Sequence, residues 1–355
     1  MGQVDVGKAL GIAWQHMARV LFKPFALKKW LALGFVSMLA WGGSGGNFPS
    51  GGGDWGSNNE PFPDMANAWD EAMRWIVGHV LLLVVAAALL IAISMFFAWL
   101  SAVLKGVYIE QLTVNPRAIR EPFKRLTQLG TWYFAWEIAL ETVMIAVVGF
   151  LIVIPVAYAF MRTHSVALQV GSVVVAILVG LVVMVVGGLA GLFGRDFLLP
   201  IMYMRGVGAT QGWRMLGPLL RRNAGQMVLY VLMLLAVSVG ASIYTLIAIL
   251  VLMVGFALPG GILALIGYLV WSAAGWSAAF WGYAVIAGMA LVLALSYAAS
   301  CAQQPVMVFQ RTLALVVLGQ ADPSLAMIPG TIPPPPPDYG QMEGPQETPV
   351  PPPGG

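Results

Sequence analysis

Glu137 and Glu141 are the two residues of this chain best placed to do chemistry. They stand four positions apart in an apolar stretch, so a helix puts both carboxylates on one face. An ionisable group inside a membrane helix is costly and marks a functional site by default. A pair of this kind is suited to passing a proton or a cation. A structural role competes with that chemistry. If the two flanking apolar stretches fold back around His164, Glu137 comes level with about Gly191, one turn from Arg195, and an ion pair would pin the two helices. Glu137, Glu141 and Arg195 therefore form the candidate polar cluster.

Other chemistries find no support in the spacing. His16, His79 and His164 fall at opposite ends of the apolar stretches and cannot converge on a metal ion. No serine has a histidine or aspartate at the spacing a nucleophile and its base require. The glycine-rich stretch Gly42–Gly56 lacks the Gly-Lys-Ser/Thr ending of a phosphate loop. No catalytic residue, metal site or cofactor is expected, and no nucleic-acid partner.

The elements that must carry these residues follow from the charge pattern. From Asn223 to Gln310 there is no Lys, Arg, Asp or Glu. One bilayer crossing takes roughly 20 apolar residues, so this run is long enough for several. Charged residues make up 9% of the chain and mean hydropathy is +0.84, where soluble domains carry roughly 25% charged residues. The expected fold is all-α and polytopic, with six crossings at about Trp30–Phe48, Trp75–Leu104, Trp132–Phe160, Val166–Phe193, Gln226–Ala257 and Trp276–Ala302. Leu258-Pro259-Gly260-Gly261 is read as a break, with Ile262–Ala274 a short apolar segment at the outer interface or dipping into it. Cys301 is the single cysteine, which excludes an intramolecular disulfide. The N-terminal residues show no short apolar core with a cleavage site, so no cleaved signal peptide is expected.

Three basic amphipathic segments interrupt the apolar ones. In the first, Val4–Lys23, an apolar stripe of Val6, Leu10, Trp14, Met17 and Leu21 opposes Lys8, Arg19 and Lys23. In the second, Asn115–Leu129, Ile119, Phe123 and Leu126 oppose Arg117, Arg120, Lys124 and Arg125. In the third, Arg195–Arg222, the stripe Ala209, Trp213, Leu216 and Leu220 opposes Arg214 and Arg221, with Arg222 beside them. Helices of this kind lie in a membrane interface with their cations toward anionic headgroups. Trp14, Arg19, Lys23, Arg120, Lys124, Arg125, Trp213, Arg214, Arg221 and Arg222 are thus the expected lipid contacts. With six crossings, every Lys and Arg except Arg74 and Arg162 falls on one side. The excess of cations marks that side as cytoplasmic, placing both termini inside and the protein in a cytoplasmic (inner) membrane.

The segments also align with one another. Gly7–Phe25 lies on Gly206–Ala224 without gaps, matching Trp14 to Trp213 and Lys23 to Arg222; Asn115–Trp136 lies on Ala209–Tyr230. The unit is an interfacial helix followed by paired crossings, used three times over about 4–105, 106–205 and 206–318. With its Gly212-Trp213-Arg214 and Ala13-Trp14-Gln15 steps, the stretch from about Val4 to Leu318 resembles prokaryotic six-helix membrane families of unknown function. These are similar to the membrane domain found fused to glycerophosphodiester phosphodiesterases. The phosphodiesterase barrel, with its paired histidines and acidic metal ligands, is absent, so the resemblance implies no hydrolase activity.

Residues 319–355 are expected to form a disordered proline-rich cytoplasmic tail. Its Pro336-Pro337-Asp338-Tyr339 matches a pattern that docks into aromatic grooves. The expected function is a non-enzymatic scaffold, assembly or lipid-associated module. Its partners would be the anionic inner leaflet and a protein bound through the tail or the membrane helices. The alternative is a transporter for a small or amphipathic solute, with Glu137 and Glu141 lining its path.

Overall fold

A computed structural model describes residues 5–23, 25–41, 73–113, 120–162 and 165–331. The glycine-rich loop and its acidic residues, His164, the side chain of Arg120 and the PPxY segment lie outside the described residues.

The described chain is helical throughout. It begins with α1 (Val6–Phe22) and α2 (Leu27–Trp41), followed by α3 (Val80–Thr113). Next come α4 (Arg120–Val148), a π turn at Gly149–Val153, and α5 (Ile154–Arg162). Then α6 (Val166–Phe193) leads through a second π turn, Gly194–Leu198, into α7 (Leu199–Arg205). The last helices are α8 (Ala209–Arg222), α9 (Ala224–Ala274), α10 (Ala278–Ala302) and α11 (Gln304–Ala321), and a 3-10 turn, Pro323–Leu325, follows them.

Packing divides the molecule into a base and a set of arms. The base gathers α1, the end of α3, the start of α4, α7, α8, the start of α9, and α11. Val6, Ala9, Ala13, Leu199, Ile201, Met202, Leu216 and Leu313 are buried there in one cluster. Met17, Leu21, Leu33, Val36, Leu104, Tyr108 and Leu112 form a second. Each aliphatic or aromatic side chain of that size contributes about 1.5–3 kcal/mol when buried. The arms are the opposite. Among the described residues five helices are long and apolar enough to cross a membrane: Val80–Thr113, Glu121–Arg162, Val166–Arg205, Ala224–Ala274 and Ala278–Ala302. None of the most apolar window of any of them is buried inside the chain. Surfaces of Val, Leu and Ile that large are not left to water. The protein is a membrane protein.

Arms pair antiparallel where small residues allow. Val103 packs on Gly130 between α3 and α4, and Trp136 and Met144 of α4 lie on Gly194 and Gly187. Tyr244 donates to the Ala302 carbonyl at 2.7 Å, and Tyr283 to the Leu263 carbonyl at 2.5 Å, between α9 and α10.

Several expectations need correction. The apolar run does not break at Pro259: α9 passes through it and ends at Gly275, which has φ 58°. Neighbouring groups in an apolar environment accommodate the missing N–H of an interior proline. The segment Ile262–Ala274 is therefore the continuation of a 51-residue helix, about 76 Å long. The second amphipathic segment is no separate helix either. Nothing between Leu129 and Trp132 stops it, so its described part is the first turns of α4.

The first expected crossing is helical only over the 15 residues of α2, and residues from Gly42 on are outside the described chain. Leu31, Gly34 and Ser37 of α2 meet Tyr297, Cys301 and Gln304 in the same order, so α2 runs parallel to α10 and into α11. First and last spans of a six-crossing order run opposite ways. Packing also continues past residue 318, since Leu325, Ile328 and Thr331 are buried.

Candidate functional site

Where the arms meet the base, charged side chains have been drawn into the interior. The residues responsible come from five elements. Lys105 closes the apolar part of α3, and its side chain is only 6% exposed. Its Nζ lies 2.6 Å from Glu137 Oε1 on α4 and sits over the Tyr133 ring at 5.6 Å. The second π turn carries Arg195 and Asp196. A π turn inserts one residue into the helical ladder, and such turns gather at functional sites. Here it buries Asp196 to 3% exposure while Gly194 faces the Trp136 indole.

Asp196 is the hub. Arg195 Nε donates to its Oδ1 at 3.1 Å, Tyr230 Oη of α9 donates to Oδ2 at 2.9 Å, and Arg311 of α11 forms an ion pair with Oδ1. The Arg311 guanidinium also stacks over the Trp41 ring of α2 at 4.9 Å. Burial, and after it the neighbouring Arg195, pulls the Arg311 guanidinium below its ordinary value, with Asp196 opposing.

A neutral chain runs beside these charges. Tyr108 Oη donates to Gln304 Oε1 at 3.2 Å, and Gln304 Nε2 donates to Ser37 Oγ at 2.6 Å and to the Ser300 carbonyl. Further into the base, Arg125 Nη2 meets the buried Glu110 carboxylate at 2.6 Å.

Among the described residues the Lys105–Glu137 pair is neutral, whereas Arg195 and Arg311 share the one carboxylate of Asp196, which leaves one positive charge in excess in this network. Removing one partner from a buried pair costs about 3–5 kcal/mol, because the other is left uncompensated. The arrangement can therefore do two things. It locks five separate elements in one register, and it presents a local positive potential beneath the arms.

The expected polar cluster is thus only partly assembled as expected. Glu137 and Arg195 are both ion-paired, but Glu137 pairs with Lys105 and Arg195 with Asp196, not with each other. Glu141 is exposed on the arm and has no ion pair among the described residues. Lys105 and Arg311, expected at a basic surface, are interior. Asp196 had a readable signal: it is an acid in the apolar run Phe193–Met204. Arg311, the one charged residue in Gln304–Ala321, had the same signal.

The expected lipid contacts also divide. On α1 the buried face is Val6, Ala9, Ala13, Met17 and Leu21, turned onto α11. Asp5 N donates to Gln320 Oε1 at 2.8 Å and Trp14 meets Phe309 at 6.3 Å, so the two helices are antiparallel. The apolar stripe of α1 faces protein, whereas Trp14 stays 63% exposed beside exposed Arg19 and Lys23. Lys124, Arg125, Arg214, Arg221 and Arg222 are exposed as well. Trp213 is half-buried against Trp136, ring centroids 6.0 Å apart. Among the described residues no group of three His, Cys, Asp or Glu could hold a metal ion.

A family model described as "Family of unknown function (DUF7544)" matches residues 5–328. The match carries no link to the membrane domains fused to phosphodiesterases. No curated protein and no solved structure matches the chain.

Proposed function

The chain belongs to that family of unknown function, and we propose that it is a non-enzymatic membrane module that organises lipids or partner helices around its arms. One observation carries this reading. The apolar arms bury none of their most apolar windows among the described residues, while the charges at their feet are held in a Lys105–Glu137 pair and a cluster around Asp196. A packed base with open arms is a frame for lipids or partner helices to close.

Exposed Lys8, Arg19, Lys23, Lys124, Arg214 and Arg221 all lie on the base. Their sign supports seating the base on the cytoplasmic face of an inner membrane, against an anionic leaflet. Trp14, the exposed tryptophan of α1, fits the same interface. The repeated interfacial helix finds partial support: α1 and α8 are separate helices ahead of apolar ones, whereas the middle copy is continuous with α4.

Extraction of the full chain with its surrounding lipid from the native membrane tests the proposal. Retention of one lipid class above its bulk abundance, or of a stoichiometric partner, supports a frame. A bare monomer surrounded by bulk lipid overturns it.

A second reading rests on Glu141. A carboxylate exposed on an apolar arm, without an ion-pair partner among the described residues, fits a relay in a transporter better than a pin. Solute flux that is lost in Glu141→Gln and kept in Lys105→Met would favour transport; flux unchanged in both removes it.

A further inference from the structure

We propose that Arg195 and the open flank of α6 above it form a binding site for one anionic phospholipid, with the phosphate on the guanidinium and an acyl chain over Gly191 and Gly188. This rests on the reading that the arms cross a bilayer.

Three observations support it. The first is depth. Helix α6 holds no charged residue from Val166 to Phe193, a length of about 42 Å. A bilayer with its headgroups is about 40–45 Å thick. Arg195 therefore emerges where phosphates lie. Lys105 closes a comparable apolar length on α3, about 37 Å from Val80.

The second is charge. The Asp196 cluster carries one cation more than its carboxylate neutralises, and Arg195 is its accessible cation, 39% exposed against 13% for Arg311. Among the described residues Arg195 makes its one hydrogen bond through Nε, to Asp196. That leaves both terminal nitrogens of the guanidinium fork for a phosphate, the geometry in which arginine binds such groups best.

The third is shape. Gly191 and Gly188 precede Arg195 by four and seven residues, so they share its helix flank. A Cβ built on either would meet nothing within 4 Å. The adjoining glycines are filled, Gly187 by Met144 and Gly194 by Trp136, so the open strip is bounded on that side. A slot one side chain deep thus leads from the guanidinium into the apolar layer. Trp136 and Trp213 stand beside it, the residue type enriched at this depth.

The test uses the full chain in detergent, titrated with phosphatidylglycerol or phosphatidylcholine and read by native mass spectrometry. The wild type retains phosphatidylglycerol in preference to phosphatidylcholine. Arg195→Gln lowers that preference about tenfold, as expected for losing a charge-assisted pair of bonds. Gly191→Leu, which keeps every charge and fills the slot, lowers it too, and Arg162→Gln at the far end of α5 does not. Equal retention of the two lipids by the wild type overturns the site, as does a preference unchanged in both Arg195→Gln and Gly191→Leu. Full displacement of phosphatidylglycerol by inorganic phosphate at millimolar concentration overturns the lipid and leaves an ion site. Release of the protein from membranes by alkaline carbonate sinks the broader membrane reading; retention there together with indifference to lipid charge sinks this site alone.

Discussion

Replacing Asp196 with Asn should damage the protein far more than any other single loss of a carboxylate. The side chain is 3% exposed and serves Arg195, Arg311 and Tyr230 at once. Asn keeps the volume and can still accept from Tyr230. It removes the charge that compensates two guanidinium groups and raises the excess of the network from one positive charge to two. Uncovering a buried ion in this way costs about 3–5 kcal/mol. Thermal unfolding of the purified full chain in nanodiscs should fall by roughly 5–10 °C.

The cause is separated from a packing defect by the double variant Asp196→Asn, Arg311→Met. If the damage comes from the orphaned Arg311, the double variant recovers part of it, with a coupling of about 1–3 kcal/mol. A shift under about 0.5 kcal/mol for Asp196→Asn, or strictly additive effects in the double variant, would refute the network as the clamp of the base.

Other outcomes follow from the same geometry. Lys105→Met leaves Glu137 unpaired and should destabilise by about 3 kcal/mol, with recovery in Lys105→Met, Glu137→Gln measured by the same melts. Glu141→Gln, at an exposed position, should change stability by no more than about 0.5 kcal/mol. Gly194→Val drives a side chain into the Trp136 indole and should cost about 1–3 kcal/mol, seen as altered tryptophan emission and a lower melting temperature. His16 Nε2 donates to the Leu112 carbonyl at 3.1 Å, and burial holds its pKa below the ordinary 6.5, with Arg19 and Lys29 adding to the depression. The folded state thus prefers the neutral ring. Its contribution is present above pH 6.5 and is lost as pH falls below it. The protection of α1 amides, measured relative to the intrinsic exchange rate at each pH, should fall between pH 7 and pH 5 and stay level in His16→Gln.

Much of this protein is written locally. The charge-free run from Asn223 to Gln310 and the Val- and Leu-rich stretches before it dictate apolar helices, because hydropathy and length are properties of a single segment. The amphipathic character of α1 and α8 is legible for the same reason, and so is the candidacy of Glu137 and Arg195.

What tertiary structure decided is who faces whom. Whether α1 turns its stripe to lipid or to α11, whether Pro259 breaks α9, and which cation answers Glu137 all depend on neighbours distant in the chain. Residue type alone assigns Lys105 to a basic surface, because lysine is nearly always solvated; its burial becomes favourable only once α4 brings Glu137 to within 2.6 Å. Asp196 is the clearest case. A single acid beside an arginine looks like a local pair, and only the meeting of α9 and α11 with the second π turn makes it the hub. Electrostatic energy inside a protein scales with distance and surroundings rather than with residue type, and neither is set until the helices have packed.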